Sequence, residues 1–413
     1  MSELEYGLLG KVLGHSYSPM IHSYFGNYDY CLCEKEPEEL DAFFAEGDFK
    51  GLNVTIPYKT QVIKYLSELS ETAQKIGSVN TIVRREDGSL FGDNTDYGGL
   101  VYTIRRSGIF VKNKKALVLG SGGASLTAQS VLKDMGAKSV TVISRSGPDN
   151  YENLERHADA EIIVNTTPVG MFPDNMNSPV DLKKFPRLYG VVDIIANPSK
   201  TALLMQAEKL GIKHAGGLPM LVAQAAYAAE KFCGRKIYDG EIEKVLKNIS
   251  KSTKNIVLIG MPGCGKTTVG RRLSKILGRE FIDLDAAIVE KAGKTIAEIF
   301  ANEGEEEFRR IETECAADAG KKSGVVISTG GGIVTRERNY DLLRQNGTII
   351  FINRPTAQLA TRGRPISAAQ GLEKLADERM PLYKKWASVT VENIGVSSTA
   401  GLIISFLHLK KNK

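Results

Sequence analysis

Two glycine-rich loops constrain this chain more than any other feature, because each directly follows a short apolar run and directly precedes a helical pattern. The first is Gly120-Ser121-Gly122-Gly123-Ala124-Ser125, after Lys115 to Leu119 and opening a helix through Leu132. The second is Gly260-Met261-Pro262-Gly263-Cys264-Gly265-Lys266-Thr267, after Ile256 to Ile259. A strand, a glycine turn and a helix in that order present free amides and a helix N-terminus to an anion. The first loop suits a pyrophosphate, although a tight strand-to-helix turn reads the same way. The second fits the P-loop pattern residue for residue: Gly263, Cys264, Gly265 and Thr268 frame the phosphates, Lys266 reaches the terminal ones, and the Thr267 hydroxyl can hold Mg²⁺. Cys264 contributes backbone there, and its thiol needs no chemical role.

Further short runs rich in Val, Ile and Leu recur between helical patterns, at Val140 to Ile143, Ile162 to Val164, Val191 to Ile195, Val325 to Ile327 and Ile349 to Ile352. Continuous rather than alternating runs predict parallel strands buried on both faces, hence an α/β architecture. A chain of 413 residues is too long for one core. The polar stretch at 249–254 reads as a linker between residues 1–248 and 255–413. Charge divides at the same place: the first 250 residues carry net −2 and the rest net +8. That balance does not by itself indicate nucleic acid. No apolar run approaches the ~20 residues of a membrane span, and the start lacks a signal-peptide pattern. Five scattered cysteines fit a reducing compartment better than a disulfide framework, so a cytoplasmic location is expected, with neither membrane nor nucleic acid as partner.

After the strand that follows the first loop comes Ser144-Arg145-Ser146, where an NAD site would usually offer an acid to the ribose hydroxyl. An arginine between two hydroxyls favours a 2′-phosphate, hence NADP. Near the N-terminus, Ser16-Tyr17-Ser18-Pro19 would place Ser16 and Ser18 on one side if Pro19 holds Ser18 extended. In Asn53-Val54-Thr55-Ile56-Pro57-Tyr58-Lys59, the residues Asn53, Thr55, Pro57 and Lys59 would share one face of an extended segment, which taken alone reads rather as an edge strand with a solvated polar face. Ser78-Val79-Asn80-Thr81 and Asp93-Asn94-Thr95-Asp96 add two polar turns and a candidate carboxylate.

These motifs, with Asn165-Thr166-Thr167-Pro168 and Gly217-Leu218-Pro219 through Gln224, resemble shikimate dehydrogenase in order over residues 1 to about 250. The resemblance implies a substrate lobe at 1–103 completed by 218–248, and a Rossmann NADP lobe at 104–217. It implies that Ser16, Ser18, Asn53, Thr55, Asn80, Asp96 and Gln224 surround the substrate and that Lys59 and Asp96 form the catalytic pair. It assigns Gly122, Gly123, Ala124, Ser144, Arg145 and Ser146 to NADP(H), with Gly217 near the nicotinamide. One departure is Ala196 in Asp193-Ile194-Ile195-Ala196-Asn197-Pro198, where the family usually has a substrate-contacting Tyr. The lost hydrogen bond costs about 1 kcal/mol.

In the second half, Phe281-Ile282-Asp283-Leu284-Asp285 would put two carboxylates on one face if extended. Gly304 to Glu312 presents Arg309 amid acids, a composition that usually means an exposed charged helix. Thr329-Gly330-Gly331-Gly332 permits close approach of a ligand to backbone. With Gly363-Arg364-Pro365 and Glu378-Arg379-Met380-Pro381, this set resembles shikimate kinase over 254 to about 410, a P-loop fold with a helix-covered parallel sheet. The resemblance implies that Asp285, Arg309, Gly331, Gly332 and Arg379 bind shikimate, that Arg364 comes from a closing lid, that Asp285 orients or deprotonates the attacking hydroxyl, and that Thr267 and Asp283 hold Mg²⁺. The lid around Thr361 to Arg364 is short, and an earlier arginine packing on adenine is not located. The combined expectation is an enzyme that reduces 3-dehydroshikimate with NADPH and phosphorylates the resulting shikimate with ATP. Two alternatives stay open: one half is a ligand-binding or regulatory module, or the dehydrogenase half prefers quinate.

Overall fold

The continuous apolar runs become parallel strands because both of their faces are covered. In the computed structural model, which describes residues 5–14, 16–359 and 371–409, the chain divides into two units, Met1–Ile249 and Ser250–Lys413.

The first unit holds two sheets. Strands β1 (Tyr6–Gly10), β2 (Tyr30–Glu34), β3 (Gly51–Val54), β4 (Glu68–Leu69), β5 (Thr81–Arg84) and β6 (Leu90–Asp93) form a mixed sheet in the order β2-β1-β3-β5-β6-β4. Here β1 runs parallel to β2 and β3, while β5 runs antiparallel to β3 and β6. These strands carry no long apolar run: β3 reads Gly-Leu-Asn-Val and β6 Leu-Phe-Gly-Asp. Strands β7 (Lys115–Leu119), β8 (Ser139–Ile143), β9 (Ile162–Asn165), β10 (Gly190–Asp193) and β11 (Lys213–Ala215) form a wholly parallel sheet in the order β11-β10-β9-β7-β8. Alternate residues of β7 enter opposite cores. Ala116 and Val118 join Ile162, Val164 and Val192 on one face; Leu117 and Leu119 join Ile163 and Val191 on the other. Burial on both sides is why the run reads as continuous. With β8 on one side of β7 and β9 on the other, the chain reverses direction there, and the first glycine loop sits at that switch point.

Helix Thr95–Ser107 leads from the first sheet to the second, so the lobe boundary expected at 103/104 falls inside a helix. The segment read as a linker is also helical. Helix Asp239–Thr253 buries Ile242, Val245, Leu246 and Ile249 along one face, and the unit boundary falls in its last turns. Only Ile249 marks the apolar face there, so the sequence looks uniformly polar.

In the second unit, β12 (Asn255–Ile259), β13 (Phe281–Asp283), β14 (Val326–Ser328), β15 (Gly347–Asn353) and β16 (Val389–Glu392) form a parallel sheet in the order β13-β14-β12-β15-β16. One core gathers Ile256 to Ile259, Val326, Ile327 and Ile349 to Ile352 with Leu273 and Ile403 from helices on its faces. The second glycine loop leaves β12, the central strand. Among the described residues no helix is long and apolar enough to cross a membrane, and all five cysteines are free.

Candidate active sites

In the first unit Lys59 Nζ donates to Asp96 Oδ2 at 2.6 Å, with both side chains largely buried. Lys59 does not reach this position by strand alternation: β3 ends at Val54, and the chain turns, with Tyr58 N donating to Thr55 O. Asp96 stands in the first turn of helix Thr95–Ser107, where the helix dipole favours a negative charge. The Asn94 side chain caps that helix by accepting from Tyr97 N. Asn80 accepts at Oδ1 from Thr95 N at 2.7 Å and donates through Nδ2 to Gln224 Oε1 at 3.4 Å. Asn53 donates to Thr81 Oγ1 at 3.2 Å and accepts from Tyr30 OH at 2.8 Å. Thr81 in turn donates to Asn80 Oδ1. One network therefore joins Asn53, Asn80 and Gln224.

Ser16, Ser18 and Thr55 form no hydrogen bond to that network among the described residues. Ser18 is not extended: it opens helix Ser18–Phe25, with Pro19 in the first turn, where a missing N–H costs nothing. Ser16 Oγ accepts from Ser18 N at 3.2 Å. The two hydroxyls therefore do not form a pair by alternation. The turn residue Asp93 is also settled: its carboxylate pairs with Lys231 at 2.6 Å and accepts from Ser70 Oγ and Asn94 N, which leaves Asp96 for Lys59.

The first glycine loop lies against this pair. A Cβ on Gly123 would sit 3.1 Å from Ser78 Oγ and 3.6 Å from Lys59 Cβ, whereas one on Gly122 would meet nothing within 4 Å. Helix Gly123–Asp134 starts there, with Ala124 in its first turn. Past β8, Ser144 is buried, while Arg145 and Ser146 are exposed; among the described residues Arg145 has no carboxylate partner. Gly217 caps helix Leu218–Cys233, which carries Gln224. At the ends of β9 and β10, Asp193 accepts from Thr201 Oγ1 at 2.6 Å, Asn165 Nδ2 at 3.0 Å and Ile195 N at 3.2 Å. Burial lifts its carboxyl to about 6 against those three bonds.

In the second unit Gly260, Gly263 and Gly265 have φ of +147°, +84° and +101°, backbone that a side chain would strain. Lys266 opens helix Lys266–Leu277 and folds back to donate to the carbonyls of Gly260 at 2.9 Å and Met261 at 3.0 Å. Thr267 Oγ1 lies 3.3 Å from Ser328 Oγ, and Thr268 is exposed. Asp283 and Asp285 do not share a strand face: β13 ends at Asp283, whose side chain caps the next helix by accepting from Asp285 N at 3.1 Å. Among the described residues no hydrogen bond joins Asp283 to Thr267.

Arg309 is 3% exposed, so the charged helix Gly304–Lys321 is not solvated on every side. Its guanidinium donates to Glu312 at 2.7 Å and Glu305 at 3.0 Å, and lies where a Cβ on Gly332 would be only 2.2 Å away. Arg310, next in sequence, forms the exposed face with Glu307 and Glu314. A Cβ on Gly330 would meet Asp285 Oδ1 at 2.9 Å and Glu312 Oε1 at 3.0 Å, and one on Gly331 the ring of Pro262 in the P-loop. Asp285, Arg309, the three glycines and the P-loop thus converge. Tyr383 OH donates to the Gly331 carbonyl. Burial raises the Glu312 carboxyl, opposed by Arg309 and Arg379. Among the described residues, Glu312 Oε1 and Arg379 Nε are buried without hydrogen-bond partners, an arrangement that bound polar ligands relieve. Arg364 lies outside the described residues.

Sequence reasoning gave no role to Tyr30, Asn165, Asp193, Thr201, Glu312 or Ser328, although Asn165, Asp193 and Glu312 stand in the quoted motifs. Glu312 had a findable signal, three residues after Arg309 and therefore on the same helix face. Tyr30 had none, since its partner Asn53 is brought to it by sheet pairing.

A family model described as shikimate dehydrogenase substrate binding domain matches residues 8–82, and one described as shikimate kinase matches residues 262–406. The shikimate dehydrogenase (NADP(+)) of Clostridium beijerinckii is 38% identical over 244 residues, covering 54% of this chain and 90% of that protein. The shikimate 5-dehydrogenase of Thermus thermophilus, solved in complex with NADP(H) and shikimate, aligns with a TM-score of 0.54 at 32% identity, covering 59% of this chain and 99% of its own. A chorismate mutase/shikimate 5-dehydrogenase fusion protein from Clostridium acetobutylicum gives 0.56 at 36% identity, over 61% and 98%. With the lysine–aspartate pair beside one glycine loop and the arginine–glycine pocket beside the other, the chain belongs to the shikimate dehydrogenase family and joins to that unit a shikimate kinase domain.

Proposed function

We propose that the first unit reduces the C3 ketone of 3-dehydroshikimate with NADPH and that the second phosphorylates the 3-hydroxyl so formed with ATP. The observation that carries this reading is the 2.6 Å Lys59–Asp96 pair lying against the dinucleotide loop. The loop fits such a ligand, since the open space at Gly122 admits a pyrophosphate and Arg145, free of any carboxylate among the described residues and flanked by Ser144 and Ser146, suits a 2′-phosphate. NADPH, when bound, supplies the hydride. Lys59 uses one of its three N–H donors on Asp96 and has others for the ketone oxygen. As that oxygen gains charge it takes a proton from Nζ, and solvent restores the proton while Asp96 holds the amine in place. Asn53, Asn80 and Gln224, with Ser16, Ser18 and Thr55, bind the ring hydroxyls and carboxylate; Gly217 and Ala124 complete the cofactor side. We assign residues 1–103 with 218–248 to the substrate lobe, 104–217 to the NADP lobe and 255–413 to the kinase, in a cytoplasmic protein.

In the kinase, Lys266 exchanges two backbone carbonyls for phosphate oxygens, within amides framed by Gly263, Cys264, Gly265 and Thr268. Thr267 and Asp283 would hold Mg²⁺, which offsets phosphate charge. Arg309 and Arg379 take the shikimate carboxylate, which suits planar guanidinium groups, with Gly331 and Gly332 as the floor. Asp285 orients or deprotonates the attacking hydroxyl, and Arg364 closes from the lid. Positioning and charge neutralisation are most of what phosphoryl transfer needs.

The test supplies 3-dehydroshikimate, NADPH, ATP and Mg²⁺ and identifies products by mass spectrometry. Shikimate 3-phosphate is expected; shikimate accumulating unphosphorylated would sink the kinase reading, and unconsumed NADPH the reductase reading. Ala196, which supplies no phenol to the substrate, permits an altered substrate preference, and the second reading is a quinate-class substrate for the first unit. Oxidation of shikimate and of quinate, each with NADP and NAD, decides between them.

A further inference from the structure

The P-loop is anchored from outside by a side chain that belongs to neither the loop nor the shikimate pocket. Asn393 follows β16. Its Nδ2 donates to the Cys264 carbonyl at 2.6 Å, and its Oδ1 accepts from Gly395 N and Thr399 Oγ1, each at 3.1 Å. Its own N–H donates to Asn353 O, at the end of β15, at 2.8 Å. The side-chain amide therefore ties the loop to the start of helix Val396–Phe406, and the backbone N–H of the same residue ties it to the end of the neighbouring strand. The fit is close, because a Cβ on Gly265 would lie 2.5 Å from Nδ2.

In a trans peptide the C=O and N–H point in opposite directions. Fixing the Cys264 carbonyl on Asn393 therefore turns the Gly265 N–H away from Asn393. That N–H has no backbone partner among the described residues. It is one of the donors a P-loop offers to phosphate.

We infer that Asn393 is the positioning residue of this loop, holding the Cys264–Gly265 peptide so that its amide faces the phosphates of a nucleoside triphosphate. This rests on the phosphoryl-transfer reading of the second unit. Asn393→Asp keeps both acceptor bonds but sets oxygen against the Cys264 carbonyl; Asn393→Ala loses all three bonds and adds no charge.

The experiment uses the full chain. In Asn393→Ala the KM for ATP rises about fivefold or more, the effect of one lost hydrogen bond, while the KM for shikimate stays within about twofold. Asn393→Asp raises the KM for ATP further yet melts nearer to wild type, because it keeps the bonds that hold its own loop. An Ala variant with an unchanged KM for ATP and only a lowered Tm would overturn the inference. ADP binding, followed by calorimetry, separates the two levels. Wild type failing to bind ADP overturns the phosphoryl-transfer reading itself; wild type and Asn393→Asp binding ADP equally overturns only the role of Asn393.

Discussion

Lys59 lies against the first glycine loop and Lys266 belongs to the second, and the two are held in opposite ways. Lys59 donates to a carboxylate 2.6 Å away, whereas Lys266 donates to two neutral carbonyls at 2.9 and 3.0 Å. An ammonium makes charge-assisted bonds in both places, but only Lys59 faces an opposite formal charge, which holds it more firmly than two uncharged carbonyls hold Lys266. The difference suits the chemistry proposed for each. Proton transfer needs the donor in place before the ketone arrives, while a phosphate-binding lysine must trade its resting partners for the ligand.

The largest test of that contrast removes each lysine in turn. Lys59→Ala lowers the rate of reduction by about a hundredfold to ten-thousandfold and leaves phosphorylation intact; Lys266→Ala does the reverse. Separate steady-state assays on one preparation read this, and loss of both activities from either change in folded protein would break the independence of the sites. Next, Gly332→Ala forces Arg309 from its seat, since the new Cβ would lie 2.2 Å from the guanidinium. The KM for shikimate in the kinase assay should rise about 10-fold to 100-fold, the range for losing a hydrogen bond to a charged group, with the KM for ATP unmoved. An unmoved shikimate KM would remove Arg309 from substrate binding. Arg145→Ala should then raise the KM for NADPH about tenfold and leave that for NADH unchanged, the difference a single 2′-phosphate contact makes.

A further effect concerns stability rather than turnover. Asp193, whose carboxyl is lifted from an ordinary 3.8 to about 6, keeps its proton in the native state while the unfolded chain has already lost it. Between about pH 4 and pH 6 this group therefore makes stability fall as pH rises, by up to about 1 kcal/mol per pH unit, and adds little slope above that window. Denaturant midpoints for wild type and Asp193→Asn across pH 4 to 7 isolate its part. Parallel curves would show that Asp193 ionises normally.

What the sequence discloses and what it hides divide along similar lines. Both loops were legible because their spacing states a backbone requirement that survives without knowledge of the fold. The parallel strands were legible because burial on both faces leaves an unbroken apolar run, as in Leu117 and Val118. The errors came from carrying strand alternation past the end of a strand. Ser18 and Leu284 begin helices, so the pairs Ser16/Ser18 and Asp283/Asp285 do not lie on common extended faces. Burial of a charge was hidden as well. Arg309 and Arg310 are the same residue type in adjacent positions, and only the glycines folded against the first make it a pocket residue. The segment around Arg364 remains an expectation from resemblance, lying outside the described residues.

Gly123 bears on how this unit can change. Its α-carbon faces Ser78 and Lys59 across a gap that a single methyl group would fill, so one position borders both the glycine loop and the proposed proton donor. A larger residue there would disturb binding and chemistry together, and no second substitution at only one of them would restore both. Under the proposed function, a change of cofactor preference is therefore better made at Arg145 and its neighbours, which form no hydrogen bond to Lys59 or Asp96 among the described residues.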